Sequence, residues 1–244
     1  MITQEKGRIR DGVSMIGGPN FPGWLITCGI PVLFDSGVTV MGPLYFTDIQ
    51  EELGDPNRLQ YNFITHAHFD HIAGIDDLRI FTLRSNHPID VFGNDISVED
   101  IKQRYNYFFN PPQIGGGILS LTLHVIDSEC HYNGVTVTPI PVKHGILDII
   151  GYRFDDFGYI TDASYVSEES INLLKGIKIL VINALRQRPH ETHFSIGQAI
   201  EVADAIAPEQ TYFTHICHHL EHVETNTSLP TRFQLGYDGL EIML

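Results

Sequence analysis

Cysteine is scarce in this chain, with three residues in 244, at positions 28, 130 and 217, and no Cys-x-x-Cys pair. So odd and widely spaced a set excludes a disulfide framework and a thiolate-held zinc, and a reducing cytoplasm is the expected compartment. Long apolar runs are missing too. No stretch approaches the roughly 18 residues needed to cross a bilayer, and Met1 to Gly12 carries mixed charges instead of a signal-peptide core, so neither export nor a membrane partner is expected. Positive charge is the third shortage. Fifteen Lys and Arg stand against thirty Asp and Glu, a formal charge of -15, which argues against a sequence-independent grip on a long nucleic acid. A small anionic substrate is not excluded, because acids that ligate metals are counted here as bare negatives. No linker, repeat or low-complexity tract divides the chain, and residues 1–244 read as one domain able to bury a core without staples.

Histidine is what the chain has in excess. Of thirteen, seven fall in two short stretches, 66 to 71 and 215 to 222. The elements around them can be sketched from periodicity and turn residues. Short strands are expected at Gly12 to Ile16, Trp24 to Cys28 and Pro31 to Phe34, a helix around Phe46 to Leu53, and a compact apolar strand at Tyr61 to Thr65 that ends in the first His cluster. Ile89 to Phe92 reads as a strand, and Ser97 with Asp100 as a capping box for a helix to about Tyr107. A loop over Asn110 to Gly117 precedes a meander of four strands: Leu119 to Ile126, Val135 to Val142, Ile150 to Arg153 and Gly158 to Ile160. Ser167 and Ser195 cap two later helices, with strands at Ile177 to Ile182, at Thr211 to Thr214 and twice near the terminus. Meanders interrupted by single helices fit two sheets packed face to face with helices outside, an α/β four-layer αββα sandwich.

Residues 65 to 71 read Thr-His-Ala-His-Phe-Asp-His. In an extended segment His66, His68 and Asp70 project to one side, and a turn into a following helix returns His71 toward them. Imidazole suits Zn, Mn, Fe or Ni, and a carboxylate completes or bridges such a site, so four ligands on one turn can serve two divalent ions. Two ions need more ligands than one loop supplies. His144, Asp162 and His215 each follow an apolar strand and complete a set of seven.

With these residues in place, the sequence resembles the metallo-β-lactamase superfamily. The likeness rests on T-H-A-H-F-D-H at 65–71, the lone His144, Asp162 in Y-I-T-D-A and His215 in T-H-I-C-H. H-I-A-G-I-D-D-L-R at 71–79, R-P-H-E-T-H-F-S at 188–195 and L-G-Y-D-G-L-E-I near the terminus resemble its phosphoribosyl 1,2-cyclic phosphate phosphodiesterase branch. Before Thr65 the likeness is to the superfamily alone, with Asp35 where that fold has a strand-end acid. The resemblance implies that His66, His68 and His144 hold one metal, that Asp70, His71 and His215 hold the other, and that Asp162 bridges them. It implies a two-metal hydrolase attacking a small, cyclic or linear phosphodiester with a metal-bridging hydroxide, since two cations lower the pKa of shared water by many units. His193, in His190-Glu191-Thr192-His193, would face the leaving group as a general acid, joining Asp70 and Asp162 in the catalytic set. Asp35 would hydrogen-bond a ligand histidine, fixing its tautomer.

Family members with a structural zinc carry an amino-terminal cysteine group that this chain lacks, so no such zinc is expected and His218 has no thiolate partners. His190 is read as supporting, Cys217 as a buried small apolar residue, and His87, His124 and His131 as ordinary surface or sheet histidines. The loop from Phe108 to Gly117 is a candidate pocket wall. Four other readings stand beside the phosphodiesterase: a glyoxalase II-like thioester hydrolase, a lactone hydrolase, a ribonuclease Z-like nuclease, and a non-catalytic metal-binding protein. A homodimer stays open as an assembly.

Overall fold

A computed structural model describes residues 12–16, 23–27, 31–37, 42–85, 87–112, 117, 119–132 and 134–243. The chain starts with β1 (Gly12–Ile16), β2 (Gly23–Ile26) and β3 (Val32–Phe34), then helix α1 (Gly42–Leu53), β4 (Tyr61–Phe63), the short helices α2 (Phe69–Ile72) and α3 (Arg79–Ser85), and β5 (Ile89–Gly93). Helices α4 (Asp95–Arg104) and α5 (Asn106–Phe109) lead to β6 (Leu121–Val125), β7 (Cys130–Tyr132), β8 (Val135–His144), β9 (Leu147–Phe154), β10 (Phe157–Ile160) and β11 (Tyr165–Val166). The remainder is α6 (Glu168–Leu174), β12 (Ile179–Asn183), α7 (Ile196–Ile206), β13 (Gln210–Thr214), α8 (His222–Ser228), β14 (Phe233–Leu235) and β15 (Glu241–Met243). One sheet runs β15-β1-β2-β3-β4-β5-β6 and the other β11-β8-β9-β10-β12-β13-β14, with β7 paired to β8.

Alternation along the strands builds the layers. In β2, Trp24 and Ile26 join an inter-sheet core with Phe34, Phe63, Tyr152 and Tyr159, while Leu25 between them faces a cluster under α1 with Leu33, Ile49 and Leu53. In β12, Val181 points inward, and Leu180 and Ile182 join Leu174, Ala199 and Ala203 beneath α6 and α7. Helix, sheet, sheet and helix therefore stack as the patterning requires, and a one-residue slip in β2 or β12 would reverse every assignment. Aromatic contacts close the central seam: Phe34 of the first sheet stacks on Tyr159 of the second with ring centroids 4.6 Å apart.

Two expectations are corrected. The meander of four is a meander of three, because β6 pairs in parallel with β5 in the first sheet, leaving β8, β9 and β10 to run antiparallel in the second. The cap of α4 is Asn94, whose side chain accepts from the Ser97 backbone N–H at 2.8 Å. Ser97 is buried inside the first turn, and the helix breaks at Tyr105 before α5. Cys28, the segment 1–11 and residues 113–116 of the candidate wall lie outside the described residues. Among the described residues no helix is long and apolar enough to cross a membrane.

The parallel strands β3, β4 and β5 of one sheet and β10, β12 and β13 of the other each leave their carboxyl ends free for side chains. In α/β sheets such ends are where ligands bind. Hydrogen bonds join the two sheets there: Ile150 N–H donates to Thr65 O at 3.2 Å and the Tyr152 hydroxyl to Ile64 O at 2.7 Å.

Candidate metal centre

The chain leaves β4 through Ile64, bends at Thr65 and runs through His66 and Ala67 into His68, the N-cap of α2. The extended path therefore ends two residues sooner than the alternation argument assumed. His66 and His68 share a side, with His66 Nε2 2.9 Å from His68 Nδ1. Asp70 and His71 instead project from the first helical turn, where His71 Nε2 lies 3.5 Å from Asp70 Oδ2. From the second sheet, His144 closes β8, Asp162 follows β10 and His215 follows β13.

Asp162 is the junction. It is 2% exposed, and its Oδ2 lies 3.1 Å from His71 Nε2 and 3.5 Å from His66 Nε2, while Oδ1 lies 3.2 Å from His215 Nδ1. Donor atoms of His66, His68, His144 and Asp162 lie within 4.8 Å of one another, and so do those of Asp70, His71, Asp162 and His215. The structure thus brings together all seven sequence-derived ligand candidates, in two groups that share one carboxylate. Four nitrogen and carboxylate donors per group fit a divalent cation of the Zn, Mn, Fe or Ni type.

Surrounding groups orient these donors. His71 Nδ1 sits 2.9 Å from Asp35 Oδ2, the role expected of Asp35, and leaves Nε2 for the centre. His144 Nδ1 donates to Thr192 O at 2.7 Å, which likewise frees Nε2. Burial, reinforced by His71, lowers His66 to about 2, and burial also lowers His68 and His215, so all three present neutral imidazole lone pairs. For His71 burial pulls the same way, but without a cation the Asp162 and Asp35 carboxylates overcome it and hold the ring well above its ordinary value. Burial would raise Asp162, yet His215 and His71 hold it well below the usual carboxylate range.

His71 must give up a proton to coordinate, so loading weakens as pH falls, and a raised ring value extends that competition above pH 6.5. Asp35→Asn removes part of the charge that raises His71 but also the acceptor that orients it. Titration against a chelator at several pH values is expected to show roughly 10–100-fold weaker metal affinity with a flatter pH dependence. Unchanged affinity across the range would rule out that role for Asp35.

Backbone conformation marks the same places. Asp35, Asp162 and His215 are three of only five non-glycine residues with positive φ among those described, at 54°, 58° and 52°. Each left-handed residue costs roughly 1 kcal/mol, and here each turns a side chain off a strand end toward the centre. Asn183, fully buried at the end of β12, holds the turn after Asp162: its Oδ1 accepts from Ala163 N–H at 2.8 Å and its Nδ2 donates to Ala163 O at 3.0 Å.

Sequence reasoning passed over Asn183, although a polar residue closing the apolar run Ile-Leu-Val-Ile was a usable signal. It also gave no role to Thr65, whose N–H donates to Asp35 Oδ1 at 2.9 Å and whose hydroxyl lies between Asp35, His66 and His71. Thr192 is the third omission.

His193 stands at the edge of both groups. Its ring stacks on His215 at 5.0 Å and 6°, and its Nε2 is 3.8 Å from Asp162 Oδ2. His190 supports it: Thr192 N–H donates to His190 Nδ1 at 3.2 Å, so that nitrogen carries a lone pair. His193 Nδ1, 3.2 Å from the same atom and 2.9 Å from the Thr192 hydroxyl, is then the protonated nitrogen, which leaves Nε2 on the side of Asp162. Cys217 is not buried as expected. It is half-exposed with Sγ 3.6 Å from His219 Nδ1, because the chain past His215 runs over the surface. His124 pairs with Asp90 at 2.8 Å on the edge strand, as a sheet histidine does.

The model of the β-lactamase superfamily domain matches residues 31–216, a span that contains all seven candidates. An octanoyltransferase of Porphyromonas gingivalis is 34% identical over 184 residues, 74% of this chain and 37% of that protein, so the chain spans little more than a third of the relative's length. A diphosphatase from the PhnP family superposes with a TM-score of 0.82 at 26% identity, covering 96% of this chain and 98% of that one. The short form of human tRNase Z superposes at 0.69 with 17% identity, covering 95% and 98%, a likeness of fold alone.

Proposed function

The chain belongs to the metallo-β-lactamase superfamily, and from that premise we propose that it is a metal-dependent hydrolase of small phosphodiesters, cyclic or linear. The shared carboxylate of Asp162 carries the reading, because a group common to both donor sets fits two cations side by side better than two independent sites. His66, His68, His144 and Asp162 would hold one ion, and Asp70, His71, His215 and Asp162 the other. Bound there, the pair would supply Lewis-acid chemistry, lowering the pKa of water and offsetting charge that builds on phosphoryl oxygens.

The chain's own residues do the rest. Asp35, Thr65 and Thr192 fix ring orientation, so little reorganisation accompanies the reaction. His193, with Nδ1 held by Thr192 and His190, delivers a proton from Nε2 to the departing alkoxide. The likeness to a diphosphatase at 26% identity supports phosphoryl chemistry. The octanoyltransferase relative favours a second reading, acyl-ester or thioester cleavage, which the same centre could perform. A nuclease acting on long RNA fits poorly with thirty acids against fifteen bases.

Zinc- or manganese-loaded protein is expected to turn over bis(p-nitrophenyl) phosphate in preference to an octanoyl thioester, and turnover of the thioester alone would move the assignment to acyl chemistry. His193→Ala is expected to keep its metal and lose about a hundredfold in kcat, the usual worth of a positioned acid. Loss of metal in that variant, read by elemental analysis, would instead make His193 a ligand.

A further inference from the structure

Two large apolar side chains stand in solvent directly beside the metal centre. Phe69, between His68 and Asp70, is 70% exposed, and Ile146, two residues past His144, is 100% exposed. The His68 and His144 rings lie 5.1 Å apart, and each of the two apolar residues is within two positions of one of them, Phe69 on α2 and Ile146 in the β8-β9 turn. Single exposed apolar residues are ordinary on protein surfaces, but two that border the same polar cluster are not explained by chance exposure alone.

The hairpin that carries Ile146 is fixed in place. Gly145 has φ +60° and is followed by Ile146 without positive φ, as in a two-residue turn with glycine first, where the second position normally takes a small polar residue. Gly145 N–H donates to Ser164 Oγ at 2.9 Å, and Asn94 Nδ2 donates to Asp148 O at 3.1 Å just past the turn. A Cβ at Gly145 would fall 2.9 Å from Thr192 Cγ2, so the turn already sits tightly on the segment that orients His144. Phe69 is likewise fixed, as the first residue of α2 behind its N-cap. Lys143, just before the turn, is paired with Asp148 at 2.5 Å.

We propose that Phe69 and Ile146 form an apolar lip that selects substrates whose ester arm is an aryl or alkyl group. The proposal rests on the hydrolase reading above, because it takes the reacting group to be held at the cations, from which the arm passes between the two side chains. Burial of an arm there removes apolar surface from water on both partners, which favours it in proportion to the area covered.

The test is calorimetric binding of phenylphosphonate and methylphosphonate to zinc-loaded protein, read with sedimentation of each variant. Wild type is expected to bind the phenyl compound roughly fivefold tighter. Phe69→Ser and Ile146→Ser should each cut that ratio to twofold or less, and Phe69→Leu should keep part of it. Equal affinities in wild type, or a ratio untouched by the serine variants, overturn the lip. So does a dimer that becomes monomeric in either variant, which would make a second copy of the chain the occupant. Turnover of bis(p-nitrophenyl) phosphate without any phenyl preference leaves the hydrolase and removes the lip. A phenyl preference without turnover of any ester removes the hydrolase instead, and failure to bind either phosphonate removes both.

Discussion

Asp162→Asn is expected to abolish binding of both proposed cations and to lower kcat/KM on bis(p-nitrophenyl) phosphate by at least about a thousandfold, or roughly 4 kcal/mol of transition-state stabilisation. The substitution keeps the shape of the side chain and removes its charge. That charge faces His71 at 3.1 Å, His215 at 3.2 Å and His66 at 3.5 Å, and no other residue is common to the two donor groups. An amide there also turns an N–H donor toward ring nitrogens that need to offer lone pairs. Because Asn tolerates left-handed backbone nearly as well as Asp, the turn at φ 58° should persist and the fold with it. Elemental analysis after dialysis, thermal melting and steady-state kinetics read the three claims separately. A variant that retains two ions and turns over within tenfold of wild type would remove Asp162 from the centre of the mechanism.

Gly74→Ala, the tightest approach for an added Cβ among the described glycines, is expected to lower stability by about 2–4 kcal/mol, with a chemical denaturation midpoint to match. Gly74 follows α2 and packs against the loop after β3. Its N–H donates to Gly37 O at 2.8 Å, and Ser36 N–H donates to His71 O at 2.7 Å. A Cβ would be driven into the Ser36 carbonyl oxygen, a backbone atom that no rotamer change can move aside. Relief requires the loop carrying Asp35 to separate from the turn carrying His71, so metal affinity should fall together with stability. Ala at Gly197, where a Cβ meets nothing within 4 Å, is the matched control and should be neutral or slightly stabilising. A Gly74→Ala protein as stable as wild type would mean that the two loops can slide apart without cost.

Both variants probe a site whose outline could be read in the chain before its shape was known. His66, His68, His144 and His215 stand out because each lies at or just past the end of an apolar strand, and alternation fixes which strands are buried on both sides. The same logic gives the two layers around Trp24 and Val181. It fails where pairing depends on partners distant in sequence. β6 has the pattern of a meander strand, with residues half-buried along its length, and only its partner β5 assigns it to the other sheet. β7 and α8 were overlooked because Cys130–Tyr132 and His222–Ser228 carry no apolar run or periodicity, and β11 because Tyr165–Val166 is only two residues long. Asn94 was missed as a cap because Ser97 satisfies a capping motif equally well in one dimension. Thr65, Thr192 and Asn183 act through single hydrogen bonds to other residues, which composition and spacing do not encode.

The division of donors between sheets bears on a chain that has three cysteines and no disulfide framework. Four of the seven donors hang from the first sheet, between residues 66 and 71, and three from the second, at 144, 162 and 215. Ions held there would rivet one face of the sandwich to the other and close chain loops of up to about 150 residues, the topological work of a cross-link. Removing them would loosen the seam at its open end first, near Ile150 and Thr65, while the stacked Phe34 and Tyr159 rings hold it deeper in. Resistance to shear between the sheets would then be a property the protein takes up and releases with its metal supply.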